Sequence, residues 1–137
     1  MFELNKKHER AFWKAVTEFV AKLRVVDWTI RTDVKDMDPV DDRTLADCQP
    51  DPDFAVATIT LYRNWEKDPT PEHIKETAFH EVLHVVMSRL MELARERYVT
   101  EKQLDDEEHE VIRRIVSYVF KKGTTSEWTD VKIQEKD

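Results

Sequence analysis

The segment from Thr70 to Arg97 constrains the fold more than any other part of the chain. Thr70 is a preferred N-cap residue, Pro71 suits the first helical position, and Glu72 favours the positive end of a helix dipole. Apolar residues then occupy most of the circumference of the predicted helix, which is typical of a buried helix. We therefore expect this segment to be the central helix of the domain. Its apolar residues are Ala78, Phe79, Val82, Leu83, Val85, Val86, Leu90 and Leu93.

The residues before this helix predict a second helix and a small sheet. Residues 3–24 carry apolar side chains at helical spacing, and residues 25–34 then alternate between apolar and polar, as a half-buried strand does. Residues 54–65 are rich in β-prone side chains, and a short strand is possible at Thr44–Cys48 within a loop rich in Asp and Pro.

A third helix follows the central one. The sequence Thr100-Glu101-Lys102-Gln103 fits a capping box, and Gly123 stands where a helix ending at Lys122 needs a C-cap. The expected fold class is α+β, with an N-terminal helix, a small twisted sheet of two to three strands, the central helix and a last helix. We expect one domain over residues 1–122 and a polar tail over residues 123–137. An alternative is that the tail, which contains Trp128, folds back over the cleft.

Charge and composition argue against several classes of function. The chain has 137 residues and a net charge of −7, without a basic run, so we expect no nucleic-acid partner. No apolar run reaches the length of a membrane span, so no membrane partner is expected. The first residues lack the apolar core of a signal peptide, so a cytoplasmic location is expected. One cysteine, Cys48, excludes an intrachain disulfide and a four-cysteine zinc site.

The central helix contains the sequence His80-Glu81-Val82-Leu83-His84. Residues four apart lie on one helix face, about 6 Å apart along the axis, so both imidazoles can reach one ion. Glu81 stands beside the pair and is placed to accept a proton from a water that the metal polarises. The pattern predicts a zinc site with a general base, although five-residue patterns also arise by chance on ordinary core helices. His73 is too far along the helix to share the ion and is interpreted as a surface residue.

The third ligand must come from elsewhere in the chain. A further histidine on the same helix, as in HExxHxxGxxH, is excluded because Met87 and Leu90 occupy those places. The last helix offers Glu108, Glu107 and His109. Glu108 is preferred because Ile112, Ile115 and Val119 follow it at helical spacing and predict a core-facing stripe. Glu107, which shares a face with Val111 and Tyr118, is the second choice, and His109 lies between the faces. Glu110 is expected to point to water with Arg113, Arg114 and Ser117.

The chain resembles the minimal gluzincin-type zincins, namely the single-domain minigluzincins and small HExxH proteins of bacteria and their phages. The resemblance covers residues 3–122 and rests on the HEVLH motif, the following glutamate helix and the order of the elements. It implies a zinc-dependent peptidase with one zinc ion per chain, held by His80, His84 and Glu108, with Glu81 as general base. It also implies a peptide or protein substrate that pairs with an edge strand, expected within Ala55–Leu61.

The residue that stabilises the oxyanion stays open between Tyr62, Tyr98 and Tyr118, since none has a motif around it. Two other functions also stay open. A non-catalytic zinc-binding protein is one, in which Cys48 closes the site as a fourth ligand. A di-iron carboxylate protein is the other, because Glu81-x-x-His84 and Asp106-x-x-His109 match its ligand pairs. That fold needs four long helices, and the sequence predicts three.

Overall fold

The computed structural model describes residues 1–120 and 131–136, which form three helices and six strands. The predicted α+β class is confirmed, with an N-terminal helix, strands and then two helices. None of the described helices is long and apolar enough to cross a membrane. The elements in chain order are β1 Phe2–Glu3, α1 Lys6–Lys22, β2 Thr29–Lys35, β3 Ala46–Asp51, β4 Val56–Tyr62, β5 Asn64–Trp65, α2 Pro71–Arg95, α3 Glu101–Phe120 and β6 Lys132–Gln134.

The main sheet has four strands in the order β3-β4-β2-β6. β4 runs parallel to β2 and antiparallel to β3, and β2 also runs parallel to β6. A separate ribbon pairs β1 with β5. The sheet is therefore larger than the two to three strands expected, since β6 comes from the segment that the sequence assigned to a tail.

The expected edge strand within Ala55–Leu61 is wrong. Most of these residues belong to β4, which has β2 on one side and β3 on the other. Ala57, Ile59 and Leu61 are fully buried, as is typical of a strand enclosed by neighbours. Among the described residues, β3 and β6 are the edges of the sheet. The sequence of β3, ADCQPD, contains a proline and two aspartates, and proline and charged residues are common on exposed edges.

Helices α1 and α2 pack together and enclose the core with the sheet. The cap expected for α2 is confirmed, since the Thr70 Oγ1 accepts a hydrogen bond from the backbone N–H of His73 at 3.2 Å. The buried face of α2 carries Ile74, Ala78, Val82, Val85 and Val86. This packing fixes α2 along the sheet, buries Glu81 and leaves His80 and His84 exposed.

The start of α3 is also as expected. The Thr100 Oγ1 accepts from the N–H of Gln103 at 3.1 Å, and the Gln103 Oε1 accepts from the N–H of Thr100 at 2.8 Å. The end expected at Lys122, the cap at Gly123 and the position of Trp128 lie outside the described residues.

The inward face predicted for α3 is wrong. Ile112, Ile115 and Val119 are 46%, 44% and 60% exposed. The face that contacts the rest of the protein instead carries Ser117, which is buried, and Tyr118, which stacks on Phe79 at 5.2 Å between ring centroids.

The physical reason is that the segment after α1 presents polar groups to α3. The Arg24 Nε donates to the Ser117 Oγ at 2.8 Å, and Arg114 forms an ion pair with Asp27 at 3.5 Å. Arg114 also pairs with Glu110 at 3.4 Å. Arg114 and Ser117, which the sequence assigned to the solvent face, therefore form part of the inward face of α3.

Candidate metal centre

The motif lies on α2, on the side of the helix that faces β3. The two Nε2 atoms of His80 and His84 are 3.2 Å apart, and their rings meet edge to face with centroids 4.9 Å apart. This proximity follows from the four-residue spacing on a straight helix. Both histidines are exposed, so the pair opens outward instead of into the core.

Glu81 turns in the other direction and is only 2% exposed. Its Oε1 nevertheless lies 4.0 Å from the His80 Nε2. The nitrogens of His80 and His84 and a carboxylate oxygen of Glu81 all lie within 4.8 Å of one another, and no other metal-binding group of this kind is found within residues 1–120 and 131–136. The structure therefore brings together all three polar residues of the motif.

The second carboxylate oxygen of Glu81 is unusual. Its Oε2 is enclosed and has no hydrogen-bond partner among the described residues. Burial raises the pKa of Glu81 to about 7, and the nearby Asp47 adds to this effect. A buried polar atom without a partner is costly and rare, and such atoms are found at catalytic and ligand sites. A carboxyl group with a pKa near neutrality is matched to proton transfer at neutral pH.

The donor set fits a zinc ion. Zinc prefers imidazole nitrogens at about 2.0–2.1 Å. Nitrogens 3.2 Å apart would meet such an ion at an angle of about 103°, close to the tetrahedral value of about 109°. Burial, followed by the neighbouring His80, lowers the pKa of His84, which favours the neutral ring that binds a metal.

Strand β3 forms the wall opposite the motif. Asp47 accepts a hydrogen bond from the Tyr62 hydroxyl at 2.6 Å. Cys48 and His84 line the same cleft from opposite sides. Burial raises the pKa of the Cys48 thiol to about 12, and the charges of Glu81 and Asp47 add to this effect. Sequence reasoning did not identify Asp47 as a neighbour of Glu81, because the Asp and Pro content of this region indicated a loop.

The candidate third ligands are not part of this group. Glu108 is exposed on α3, and Glu107 is half-buried on the side of Val111. His109 is exposed, and its Nδ1 donates to the backbone carbonyl of Asp105 at 2.7 Å. Because Ile112, Ile115 and Val119 are exposed, the stripe that favoured Glu108 no longer distinguishes it from Glu107. The structure leaves all three ligand assignments on α3 as predictions.

The other residues named from sequence occupy different positions. Cys48 lies near Glu81 but outside the group of ligand atoms. Asp106, part of the second di-iron pair, instead pairs with Lys102 at 3.0 Å. Tyr98 is 87% exposed. Tyr62 donates to Asp47, and Tyr118 stacks on Phe79, so the oxyanion residue stays open between them.

Two clefts flank the motif along α2 and β3. One, of about 550 Å³, begins at His84 and continues past Met87 and Met91. The other, of about 300 Å³, begins at His80 and includes Lys67 and Glu76. The motif therefore lies between two open clefts, one beside His84 and one beside His80.

No protein-family model matches the chain, and neither a curated protein nor a solved structure matches it. The assignment to the gluzincins therefore stays a prediction from the HEVLH motif, the following glutamate helix and the order of the elements.

Proposed function

We propose that the protein is a zinc-dependent peptidase in which His80 and His84 hold the ion and Glu81 is the general base. One observation carries this proposal. Two exposed imidazole nitrogens and a buried carboxylate oxygen lie within 4.8 Å of one another on a helix that the core holds in place.

The residues have separate roles in this proposal. His80 and His84 present their Nε2 atoms to the ion, whose chemistry is to lower the pKa of a water molecule toward about 7. Glu81 would accept a proton from the attacking water at its carboxylate and would donate it to the leaving amine as the peptide C–N bond breaks. Its enclosed, unpartnered oxygen and its raised pKa suit a group that gains and loses a proton near pH 7. The third protein ligand is expected from Glu108 or Glu107.

Within residues 1–120 and 131–136, β3 pairs with β4 alone, and its other edge supports a peptide substrate. Leu45 accepts a bond from the N–H of Tyr62, and in an antiparallel pair the bonded residues alternate. Ala46, Cys48 and Pro50 therefore turn their backbone groups away from β4. Ala46 and Cys48 offer a donor and an acceptor each, whereas Pro50 offers a carbonyl alone. An extended peptide can pair with these groups while it passes the motif.

The test is zinc content and peptide hydrolysis in matched variants. Glu81→Gln is expected to keep about one zinc per chain and to lose hydrolysis, whereas His84→Ala loses both. Glu72→Gln, in the first turn of the same helix, and His73→Ala, whose ring Nδ1 donates to the carbonyl of Asp68, are the controls and change neither. Native protein that takes up no zinc at neutral pH would contradict the proposal.

A non-catalytic metal-binding protein is the second candidate. The observation that favours it is that none of the carboxylates of α3 belongs to the group around His80 and His84. In that case Glu81→Gln leaves both zinc content and function unchanged. Zinc binding without hydrolysis of any peptide in a mixed library would favour this candidate over the peptidase.

A further inference from the structure

We propose that two copies of the chain associate through the C-terminal half of α3, as a two-fold symmetric pair of antiparallel helices. This inference is independent of the proposed peptidase activity. The surface involved, called the apolar patch below, consists of five exposed side chains on the last turns of α3, namely Ile112, Ile115, Val116, Val119 and Phe120. It pairs with the same patch on the second copy.

The apolar patch is continuous, unlike the scattered apolar residues of an ordinary monomer surface. Phe120 is 79% exposed and Val119 is 60% exposed, while the other three side chains are each close to half exposed. All five recur at intervals of three to four residues, so they lie on one face of the helix. Contiguous exposed faces of this kind are typical of surfaces that bind another protein.

A groove beside the apolar patch has room for a phenylalanine side chain. It lies between α3 and the segment that connects α1 to β2, and it has a volume of about 640 Å³. Its surface is mostly apolar and includes Val26, Ile112 and Val116. The charged residues Arg114 and Asp27 also line it, but they pair with each other at 3.5 Å. The groove is therefore suited to an apolar side chain from outside.

An antiparallel two-fold pair brings the exposed phenylalanine of one copy to the groove of the other. With Val116 at the symmetry axis, residues at equal distances from it in opposite directions meet, so Phe120 lies level with Ile112 of the second copy. At 100° per residue, Phe120 and Arg113 fall on the same side of Val116, and Arg113 lines the groove. Phe120 therefore enters the groove of the second copy beside its Arg113, as a cation–π contact requires. On the other side of the axis, Val119 packs against Ile112.

The distribution of charge along α3 favours this direction of pairing. Carboxylates are concentrated in residues 101–110, whereas residues 111–120 carry Arg113 and Arg114 and no carboxylate. A parallel pair would place the two acidic halves side by side, and the antiparallel pair centred on Val116 keeps them at opposite ends. The net charge of −7 also disfavours an anionic lipid surface as the occupant. A second copy is therefore the occupant that charge favours.

The available area is close to the lower limit for a specific dimer. Such an interface buries at least about 1,000 Å² in total, or about 500 Å² from each copy. A phenylalanine side chain offers about 150–250 Å², of which most is exposed at Phe120, and four partly exposed aliphatic side chains add to it. We therefore expect a Kd in the micromolar range. At lower protein concentrations the chain is a monomer, in which Ile115 is a surface residue.

The first experiment measures the mass of the native chain by analytical ultracentrifugation as its concentration rises through the micromolar range. Formation of a dimer is expected. Val119→Glu introduces a charge into the apolar patch, and Phe120→Ala removes the side chain that enters the groove. Each is expected to raise the Kd of the dimer by about 10-fold or more. Val40→Glu, the same change at a valine of the β2–β3 loop that is 93% exposed, is the matched control and leaves the Kd unchanged.

Disulfide cross-linking in a Cys48→Ala background tests the direction of pairing. Val116→Cys is expected to cross-link two copies, because these positions meet at the axis. Ile112→Cys alone is not, since its two copies lie about 12 Å apart along the helices, beyond the limit of about 7 Å between Cα atoms. A mixture of Ile112→Cys and Phe120→Cys chains is expected to cross-link. Cross-linking of Ile112→Cys with itself would show a parallel pair and overturn the arrangement.

The remaining outcomes also decide the proposal. A chain that stays monomeric at all concentrations overturns it, including a monomer that binds vesicles of anionic lipid. A dimer whose Kd is the same in native, Val119→Glu and Phe120→Ala protein overturns it as well, because the contact then lies elsewhere. Equal thermal unfolding of the variants at low concentration shows that they fold. Zinc content and hydrolysis are separate measurements, so their failure leaves this inference standing.

Discussion

Helices α2 and α3 carry the residues proposed for one site, yet they are held by the protein in different ways. α2 buries Ile74, Ala78, Val82, Val85 and Val86 together with Glu81 and Ser88. In α3, Ser117 alone is buried, and most of its apolar side chains stay exposed. The packing of α2 therefore fixes the positions of His80 and His84, whereas a ligand from α3 would be held by a helix with few buried contacts.

The largest effect expected from this difference is on stability. Ile74→Ala in α2 removes a side chain that is 2% exposed and is expected to lower the free energy of unfolding by about 2–5 kcal/mol. Ile115→Ala in α3, at 44% exposure, makes the same chemical change at a surface position and is expected to cost less than about 0.5 kcal/mol. Urea unfolding of both variants measures the contrast, and equal losses would show that α3 is as firmly packed as α2.

Zinc gives the second test of the comparison. At a free zinc concentration about 100 times Kd, binding to the folded state adds about 2.7 kcal/mol to the free energy of unfolding. His84→Ala is expected to lose this increment. Glu107→Gln and Glu108→Gln are each expected to lose part of it at most, and the larger loss identifies the residue that reaches the ion. The measurement is urea unfolding with zinc and with a chelator, and an undiminished increment in His84→Ala would contradict the site.

The helix caps provide the smallest effect and the sharpest local probe. Thr70→Ala removes the hydroxyl that accepts from the His73 N–H and is expected to lower global stability by about 1 kcal/mol. Thr100→Ala removes the equivalent bond to Gln103. Because α3 has few buried contacts, the loss of this hydrogen bond is expected to give faster amide exchange in the first turns of α3. The change in global stability is expected to be smaller than for Thr70→Ala. Slower or unchanged exchange there would argue for a tightly held α3.

The sequence predicted the centre of the site more accurately than its surroundings. The spacing of His80, Glu81 and His84 on a helix apolar over most of its circumference was enough to place the three residues together. For α3 the same periodicity gave the wrong face, because Ser117 and Arg114 contact polar groups that only the tertiary fold brings near. Contacts between segments distant in sequence override the preference of a local apolar stripe. Such contacts cannot be predicted from the periodicity of a single sequence.

The sheet was predicted in part for a similar reason. The alternation in residues 25–34 and the β-prone residues 54–65 are visible in the sequence, and these segments overlap the strands Thr29–Lys35 and Val56–Tyr62. The short strand considered at Thr44–Cys48 overlaps β3, Ala46–Asp51, but Pro50 and Asp51 indicate a loop by local preference, so the role of β3 as the edge beside the motif was missed. β6 is only three residues long, which is too short for a readable pattern of alternation. It also pairs with β2 across about a hundred positions of sequence, which local patterns do not predict.

The proline at residue 50 has a consequence for the behaviour of the protein at high concentration. A strand that is open to a peptide is equally open to the same strand of another molecule, which is a common start of aggregation. Pro50 removes one backbone donor from that edge, and Asp47 and Asp51 place like charges beside it, so two copies of β3 repel each other when they align. A neutral or basic peptide meets no such repulsion. In the proposed function, the edge would therefore accept a substrate strand, while its charges and Pro50 disfavour pairing between two copies of the protein.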